Sequence, residues 1–70
     1  MTRLLKQLLH RKPFSPFRIV MRSGERHDIT DPHRLAINRT DVFWFPPPSD
    51  RMVRLAKREI ELVFEPRRSR

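Results

Sequence analysis

The sequence predicts a mainly β domain with one N-terminal α-helix, folded as a small, strongly bent antiparallel barrel. The first observation is a leucine-rich, basic segment at residues 2–12, which Pro13 ends. The second is the alternating run at residues 17–22, which leads to Gly24, the only glycine of the chain. The third is a series of further short runs that are bounded by turn-forming residues. A helix leading into short strands and tight turns is typical of small barrels.

The helix is predicted over residues 2–12. Thr2 can cap its N-terminus, and Arg11 and Lys12 would lie in its last turn, where cations suit the helix dipole. Pro13 ends the helix. Its apolar stripe consists of leucines that recur on one helical face: Leu4, Leu5, Leu8 and Leu9. Because so short a helix is not stable alone in water, we expect the stripe to pack on the core.

Alternation of apolar and polar residues predicts a hairpin after the helix. Its strands cover residues 17–22 and 25–30, and Gly24 makes the turn because glycine accepts a positive φ at little cost. The side chains expected to face inward are Phe17, Ile19, Met21, His27 and Ile29. Asp31 would then cap a single helical turn that begins at Pro32.

Short alternating or apolar runs predict four more strands, at residues 34–38, 41–45, 52–55 and 59–65. In the last strand Ile60, Leu62 and Phe64 are expected to face inward, and Pro66 ends it. The segment 46–50 begins with three prolines and would form a stiff hairpin tip, because proline cannot extend a central strand. The domain would thus span residues 1–66, followed by a disordered basic tail at residues 67–70.

One strand is apolar on both faces, and its residues are Val42, Phe43, Trp44 and Phe45. One face can fill the core, so the other must meet the helix, a neighbouring subunit or a ligand. A chain of 70 residues buries a small core, and it has no cysteine that could form a disulfide. Self-association is a common way to stabilise such a chain, so we expect a homo-oligomer.

The charge of the chain is strongly positive and unevenly distributed. Sixteen basic residues, thirteen of them Arg, stand against eight acids, which gives a net charge of +8. Residues 1–22 carry +6 and no acid, residues 23–50 carry −2, and residues 51–70 carry +4. Arg favours planar, bidentate contact with phosphate. Such an excess predicts a polyanionic partner, a nucleic acid or an anionic lipid surface.

The sequence favours a binding module over an enzyme. A single glycine excludes a glycine-rich phosphate loop, and the three histidines lack the spacing of a metal motif. We therefore expect no catalytic residue, no metal and no cofactor. The sequence has no membrane-length apolar stretch and no signal-peptide cleavage site, which predicts a cytoplasmic protein without a membrane partner.

Two short patterns carry a resemblance to a known family. Counted back from the turn glycine, Pro16 precedes the first strand and the pair Arg11-Lys12 ends the predicted helix. Near the C-terminus Lys57-Arg58-Glu59-Ile60 opens the last strand, and Pro66 follows it. This arrangement resembles the Sm-like barrels, and among them the Hfq family of bacterial RNA chaperones, over residues 2–66. Where that family has His in its Lys-His-Ala-Ile motif, this chain has Arg58.

The resemblance implies an Sm-like or SH3-like barrel that binds RNA at both basic pairs. Separately, residues 13–19, Pro-Phe-Ser-Pro-Phe-Arg-Ile, are similar to the opening of short uncharacterised bacterial proteins with a PF-x-PF-x-I pattern. That second similarity implies no function.

Two functions are compatible with these observations. The first is binding of RNA or single-stranded DNA, in which seven basic side chains would contact phosphates: Arg11, Lys12, Lys57, Arg58, Arg67, Arg68 and Arg70. Arg stacking or an exposed aromatic such as Phe43 could add to it, whereas we expect Trp44 to be buried. The alternative is a protein-interaction subunit that docks a larger partner through the strand at residues 42–45.

Overall fold

The computed structural model describes residues 2–48 and 51–66 of the chain. Within these ranges it contains one α-helix, six β-strands and two 3-10 turns. The helix, α1, spans Thr2–Leu9, and the 3-10 turns span Pro32–Arg34 and Lys57–Glu59. The strands are β1 Phe17–Met21, β2 Arg26–Ile29, β3 Leu35–Ile37, β4 Asp41–Trp44, β5 Val53–Ala56 and β6 Ile60–Phe64.

The strands form two three-stranded antiparallel sheets, in the orders β2-β1-β6 and β3-β4-β5. The prediction of a mainly β chain with one N-terminal helix is confirmed. Neither sheet closes into a barrel over the described residues, so the closure that the sequence predicted is not present there. A 3-10 turn interrupts each of the connections β2–β3 and β5–β6. In the first of these turns Pro32 lacks the N–H that a continuous ladder would require.

Both sheets and the helix contribute to one apolar core. Its buried residues are Leu5, Leu8, Phe17, Ile19, Met21, Ile29, Leu35, Val42, Trp44, Leu55, Ile60 and Val63. The predicted leucine stripe packs on this core through Leu5 and Leu8, whereas Leu4 stays 39% exposed. Full burial of one such side chain contributes about 1.5–3 kcal/mol. These two leucines therefore account for much of what holds α1 against the sheets.

The helix ends earlier than predicted, at Leu9 rather than at Lys12. Its last backbone hydrogen bond runs from His10 N to Lys6 O, at 3.0 Å. The residue before a proline is disfavoured in α geometry, so Lys12 leaves the helix together with the residues just before it. Arg11 and Lys12 thus belong to the connection that follows α1, not to its last turn.

The first hairpin and the turn after it follow the prediction closely. Phe17, Ile19 and Met21 are all buried on one face of β1. Gly24 adopts a φ of 96°, the left-handed region that favours glycine. Asp31 caps the first 3-10 turn, because its side chain accepts a hydrogen bond from His33 N at 2.9 Å.

The last strand departs from the predicted alternation. Ile60 pairs with Met21 and Leu62 pairs with Val20, so the register shifts by one residue between them. Such a bulge inverts the faces of the residues that follow it. Val63 is consequently buried, whereas Leu62 is 43% and Phe64 37% exposed. The prediction that both of these side chains face inward was wrong, because simple alternation does not reveal a bulge.

Candidate nucleic-acid interface

The two basic pairs that the sequence singled out lie at opposite ends of α1. Arg11 and Lys12 follow its C-terminus. Lys57 lies at its N-terminus, where Lys57 Nζ donates a hydrogen bond of 2.7 Å to Thr2 Oγ1. A helix of eight residues is about 12 Å long. The fold therefore does not bring the pairs into one site, and each pair lines a cleft of its own.

The turn that carries Lys57 and Arg58 is held by backbone hydrogen bonds to two other elements. Lys57 N donates to Thr40 O at 2.9 Å, which ties the turn to the β3–β4 hairpin. Arg22 N donates to Glu59 O at 2.8 Å, and Arg22 Nε donates to Arg58 O at 3.0 Å. The Arg58 side chain itself remains 88% exposed. A fixed backbone thus presents a cation to solvent, which lowers the entropy lost when an anion binds.

Lys57 and Arg58 line a cleft of about 530 Å³ together with Arg39 and Arg54. We call these four cations and the space between them the basic cleft. Its other lining residues are Thr40, Asp41 and Ala56, so four cations face a single carboxylate. The Asp41 carboxylate lies 3.9 Å from Arg54 Nη1, and the Glu59 carboxylate, which does not line the cleft, lies 3.8 Å from Arg58 Nε, so two of the four charges are offset. The remaining charge makes the cleft attractive to an anion.

Arg39 is positioned by the tight turn between β3 and β4. The Asn38 side chain closes this turn, because its Oδ1 accepts hydrogen bonds from Thr40 N at 2.9 Å and from Asp41 N at 2.7 Å. Asn38 N also donates to Asp41 O at 3.0 Å. Asn is a frequent residue in such turns because its side chain can replace a backbone acceptor. The turn leaves Arg39 exposed at its tip.

An aromatic side chain lies beside the basic cleft. Arg54 on β5 is directly opposite Phe43 on β4 in the sheet register, and Ala56 is opposite Asp41. Residues paired across two strands share one face of a sheet, so Phe43 lies on the same outer face as Arg54. Phe43 is half-buried, which leaves part of its ring available for contact.

The predicted interface strand divides between the core and the surface. Val42 is 0% and Trp44 2% exposed, so both are enclosed by the chain itself. Phe45 is 37% exposed. A contact of this strand with any partner would therefore involve Phe43 and Phe45 alone. The other predicted contacts, Arg67, Arg68 and Arg70, lie outside the described residues.

Ion pairing shows where the surplus positive charge lies. Every acidic side chain in the described part of the chain is within 4.0 Å of a basic one. Arg11, for instance, pairs with Glu65. Arg18 donates to Asp28 at 2.6 Å, and this hydrogen bond with the nearby negative charge raises the pKa of Arg18. The acids are thus largely neutralised locally, and the excess charge resides on cations that have no such partner.

Six cations in the described ranges have no acidic side chain within ion-pair distance: Arg3, Lys6, Lys12, Arg26, Arg39 and Lys57. Arg3 and Lys6 lie three residues apart on α1, and both are exposed. Residues at this spacing share one face of a helix. They therefore connect the basic cleft at the N-terminus of α1 with Lys12 after its C-terminus.

The described residues offer no group of three or more His, Cys, Asp or Glu side chains that could hold a metal ion. They also contain no helix with the length and apolar character needed to cross a membrane. The cytoplasmic location stays a prediction.

Comparison with known proteins finds no matching protein-family model, no similar curated protein and no similar solved structure. The resemblance to Hfq therefore rests on its sequence motifs alone.

Two of the four cations of the basic cleft were predicted from the sequence. Lys57 and Arg58 were predicted, whereas Arg39 and Arg54 were not, because Arg39 belongs to the acidic middle segment and Arg54 to an ordinary alternating strand. The turn pattern Asn38-Arg39-Thr40-Asp41 indicates an exposed arginine at a hairpin tip. Only the pairing of β4 with β5 brings that tip close to Arg54.

Proposed function

We propose that this protein binds single-stranded nucleic acid, RNA or DNA, through the basic cleft. One observation carries the proposal: Arg39, Arg54, Lys57 and Arg58 surround one cleft that contains a single carboxylate. Phosphate groups carry the complementary charge, and Arg matches their geometry with two parallel N–H groups. Affinity would come mainly from phosphate neutralisation and the release of counterions.

An aromatic contact would give the cleft its preference for unpaired strands. Phe43 lies on the same sheet face as Arg54, and an unpaired base can stack on such a ring with little regard to its identity. In duplex DNA the bases are stacked on one another and do not reach a side chain on a sheet surface. The proposal therefore includes weaker binding to duplex than to single strands at equal salt.

We further propose that the fold is of the Sm-like or SH3-like type, in an open form. The strand order supports it, because β1 pairs both with β2 and with the last strand, β6. A 3-10 turn joins the second sheet to that last strand. The Hfq-like motif also supports it, since Lys57 and Arg58 lie in the turn just before β6, where that family has Lys-His at the start of its last strand.

Fluorescence anisotropy with a labelled single-stranded RNA at low salt tests the proposed function. Arg39→Ala removes an unpaired cation from the basic cleft, and we expect affinity to fall about tenfold or more, as for loss of a charged hydrogen bond. Arg26→Ala is the matched control, because it removes another exposed and unpaired arginine, from β2 in the other sheet. Equal effects of the two variants, or no binding to RNA, single-stranded DNA or duplex DNA, would refute the proposal.

A second candidate function is protein interaction, specifically the pairing of two copies of this chain. The observation that favours it is the outer face of the first sheet, where Leu62 and Phe64 are exposed on β6. β6 is also an edge strand, and an edge strand offers unpaired backbone groups to another strand. This surface replaces the strand at residues 42–45 as the candidate contact, because Val42 and Trp44 are buried.

A further inference from the structure

A second cleft, of about 470 Å³, lies at the other end of α1. We call it the aromatic cleft, and its apolar floor consists of Leu9, Phe14, Pro32 and Leu35. Phe14 is half-buried and packs on the core. Its ring meets that of Phe17 edge to face, with ring centres 6.1 Å apart and an interplanar angle of 64°. The ring is therefore held in a defined orientation.

The rim of the aromatic cleft is polar and positively charged. His10, Arg11, Lys12 and His33 line it. The His33 side chain is 91% exposed, and its Nδ1 lies 3.3 Å from Asp31 Oδ1, so Nε2 is the ring nitrogen available for contact. Lys12 has no acidic partner among the described residues, whereas Arg11 pairs with Glu65. The rim thus combines two exposed imidazole rings with one uncompensated cation.

We propose that the aromatic cleft holds an unpaired base of the same nucleic-acid strand whose phosphates occupy the basic cleft. An apolar floor that includes a phenyl ring suits the face of a base. A bare phosphate would lose its hydration against such a floor without gaining hydrogen bonds. The cation and the imidazoles at the rim suit the phosphates on either side of that base. This inference rests on the proposed function of the basic cleft.

The position of the two clefts supports the binding of one continuous nucleic-acid strand to both of them. They lie at opposite ends of α1, about 12 Å apart along the helix. The exposed face of α1 between them carries Arg3 and Lys6, neither of which has an acidic partner in the described ranges. A nucleic-acid strand that leaves the basic cleft would therefore run along these unpaired cations until it reaches Lys12. No acidic side chain lies on α1 to oppose this path.

Two labelled probes separate base binding from phosphate binding: a single-stranded RNA, and an abasic sugar–phosphate strand of equal length. We expect the RNA to bind more tightly than the abasic strand. Phe14→Leu keeps an apolar side chain against the core and removes the ring. It should weaken RNA binding by at least about fivefold, the lower end for loss of one base–aromatic stack, and leave abasic binding unchanged.

Phe45→Leu is the matched control, because Phe45 is exposed and lines neither cleft. It should leave the affinity for both probes unchanged. His33→Ala provides a second variant at an exposed rim position, with a smaller loss expected for both probes, because its imidazole is assigned to a phosphate. Trp44 fluorescence reports whether each variant is folded.

Three results would overturn the inference. If Phe14→Leu and His33→Ala both fold and bind RNA like the unaltered protein, the cleft does not hold a base, and a peptide segment becomes the better occupant. If RNA and the abasic strand bind equally, phosphate binding stands and base binding fails. If neither probe binds, the proposed function fails with it.

Discussion

Lys57 Nζ donates a hydrogen bond of 2.7 Å to Thr2 Oγ1, across 55 residues of sequence. This contact joins the turn before the last strand to the first residue of the helix. It places the exposed cations of α1, Arg3 and Lys6, next to the basic cleft. Cations from the N-terminal segment, Arg3 and Lys6, and from the C-terminal segment, Lys57, are thus brought close to one another in the folded chain.

The environment of Trp44 can be tested by fluorescence. Trp44 is 2% exposed within the core, so its emission should be blue-shifted and should not change when an oligonucleotide is added. It is the only tryptophan, so the signal is unambiguous. Strong quenching by single-stranded RNA would contradict this placement and would move Trp44 into the binding site.

The turn at Gly24 should be sensitive to any side chain. Gly24 has a φ of 96°, and nothing lies within 4 Å of where a Cβ would be. Gly24→Ala should therefore lower the free energy of unfolding by about 1–2 kcal/mol through backbone strain alone. Urea denaturation measures the difference, and nucleic-acid affinity should be unchanged.

Ser23→Ala in the same turn is a suitable control for that experiment. It removes only a long hydrogen bond, of 3.3 Å, from Glu25 N to Ser23 Oγ. We expect a smaller loss of stability than for Gly24→Ala. A Gly24→Ala protein as stable as the unaltered one would contradict the assigned backbone conformation.

The cap at Asp31 predicts a specific loss of stability in acid. The hydrogen bond from His33 N lowers the pKa of Asp31 below its ordinary value of 3.8. Ionised Asp31 therefore stabilises the fold above pH 3.8, and this contribution disappears as the pH falls through the lowered pKa. Asp31→Asn keeps a hydrogen-bond acceptor but does not titrate.

The measurement is the free energy of unfolding of both proteins over a series of pH values. The stability of the unaltered protein relative to Asp31→Asn should decline once the pH drops below about 3.8. A difference that stays constant down to pH 2 would show that the cap does not depend on ionised Asp31.

The outer face of the first sheet predicts self-association. Light scattering over a range of concentrations should show a species larger than the 8.6 kDa monomer. Leu62→Ser should shift the equilibrium toward the monomer, because it removes an exposed apolar side chain from β6. A monomer that persists at high micromolar concentration in the unaltered protein would refute this prediction.

Local sequence signals predicted most of the secondary structure correctly. Alternation gave the buried face of β1, and Gly24 and Asp31 marked the turns, because each of these features depends on residues close together in the chain. The bulge in β6 could not be predicted, since it depends on how Ile60 and Leu62 align with β1. The helix end was misplaced because the effect of Pro13 reaches back beyond Lys12.

The candidate site was also predictable only in part, because tertiary contacts bring some of its residues together. Lys57 and Arg58 belong to a basic segment that charge and motif both indicated. Arg39 becomes part of the site through a backbone hydrogen bond between Lys57 and Thr40, and no local pattern encodes that contact. Phe14 was interpreted as part of a connector, and it lines the same cleft as His33 only through the tertiary fold.

The salt dependence of nucleic-acid affinity tests the central proposal most directly. Lys57→Ala/Arg58→Ala should weaken binding to every single-stranded sequence. It should also flatten the slope of log affinity against log salt by about 0.7 for each lost phosphate contact. Arg26→Ala should leave the slope unchanged. A double variant whose slope equals that of the unaltered protein would show that these side chains do not bind phosphate, and the basic cleft would lose its proposed role.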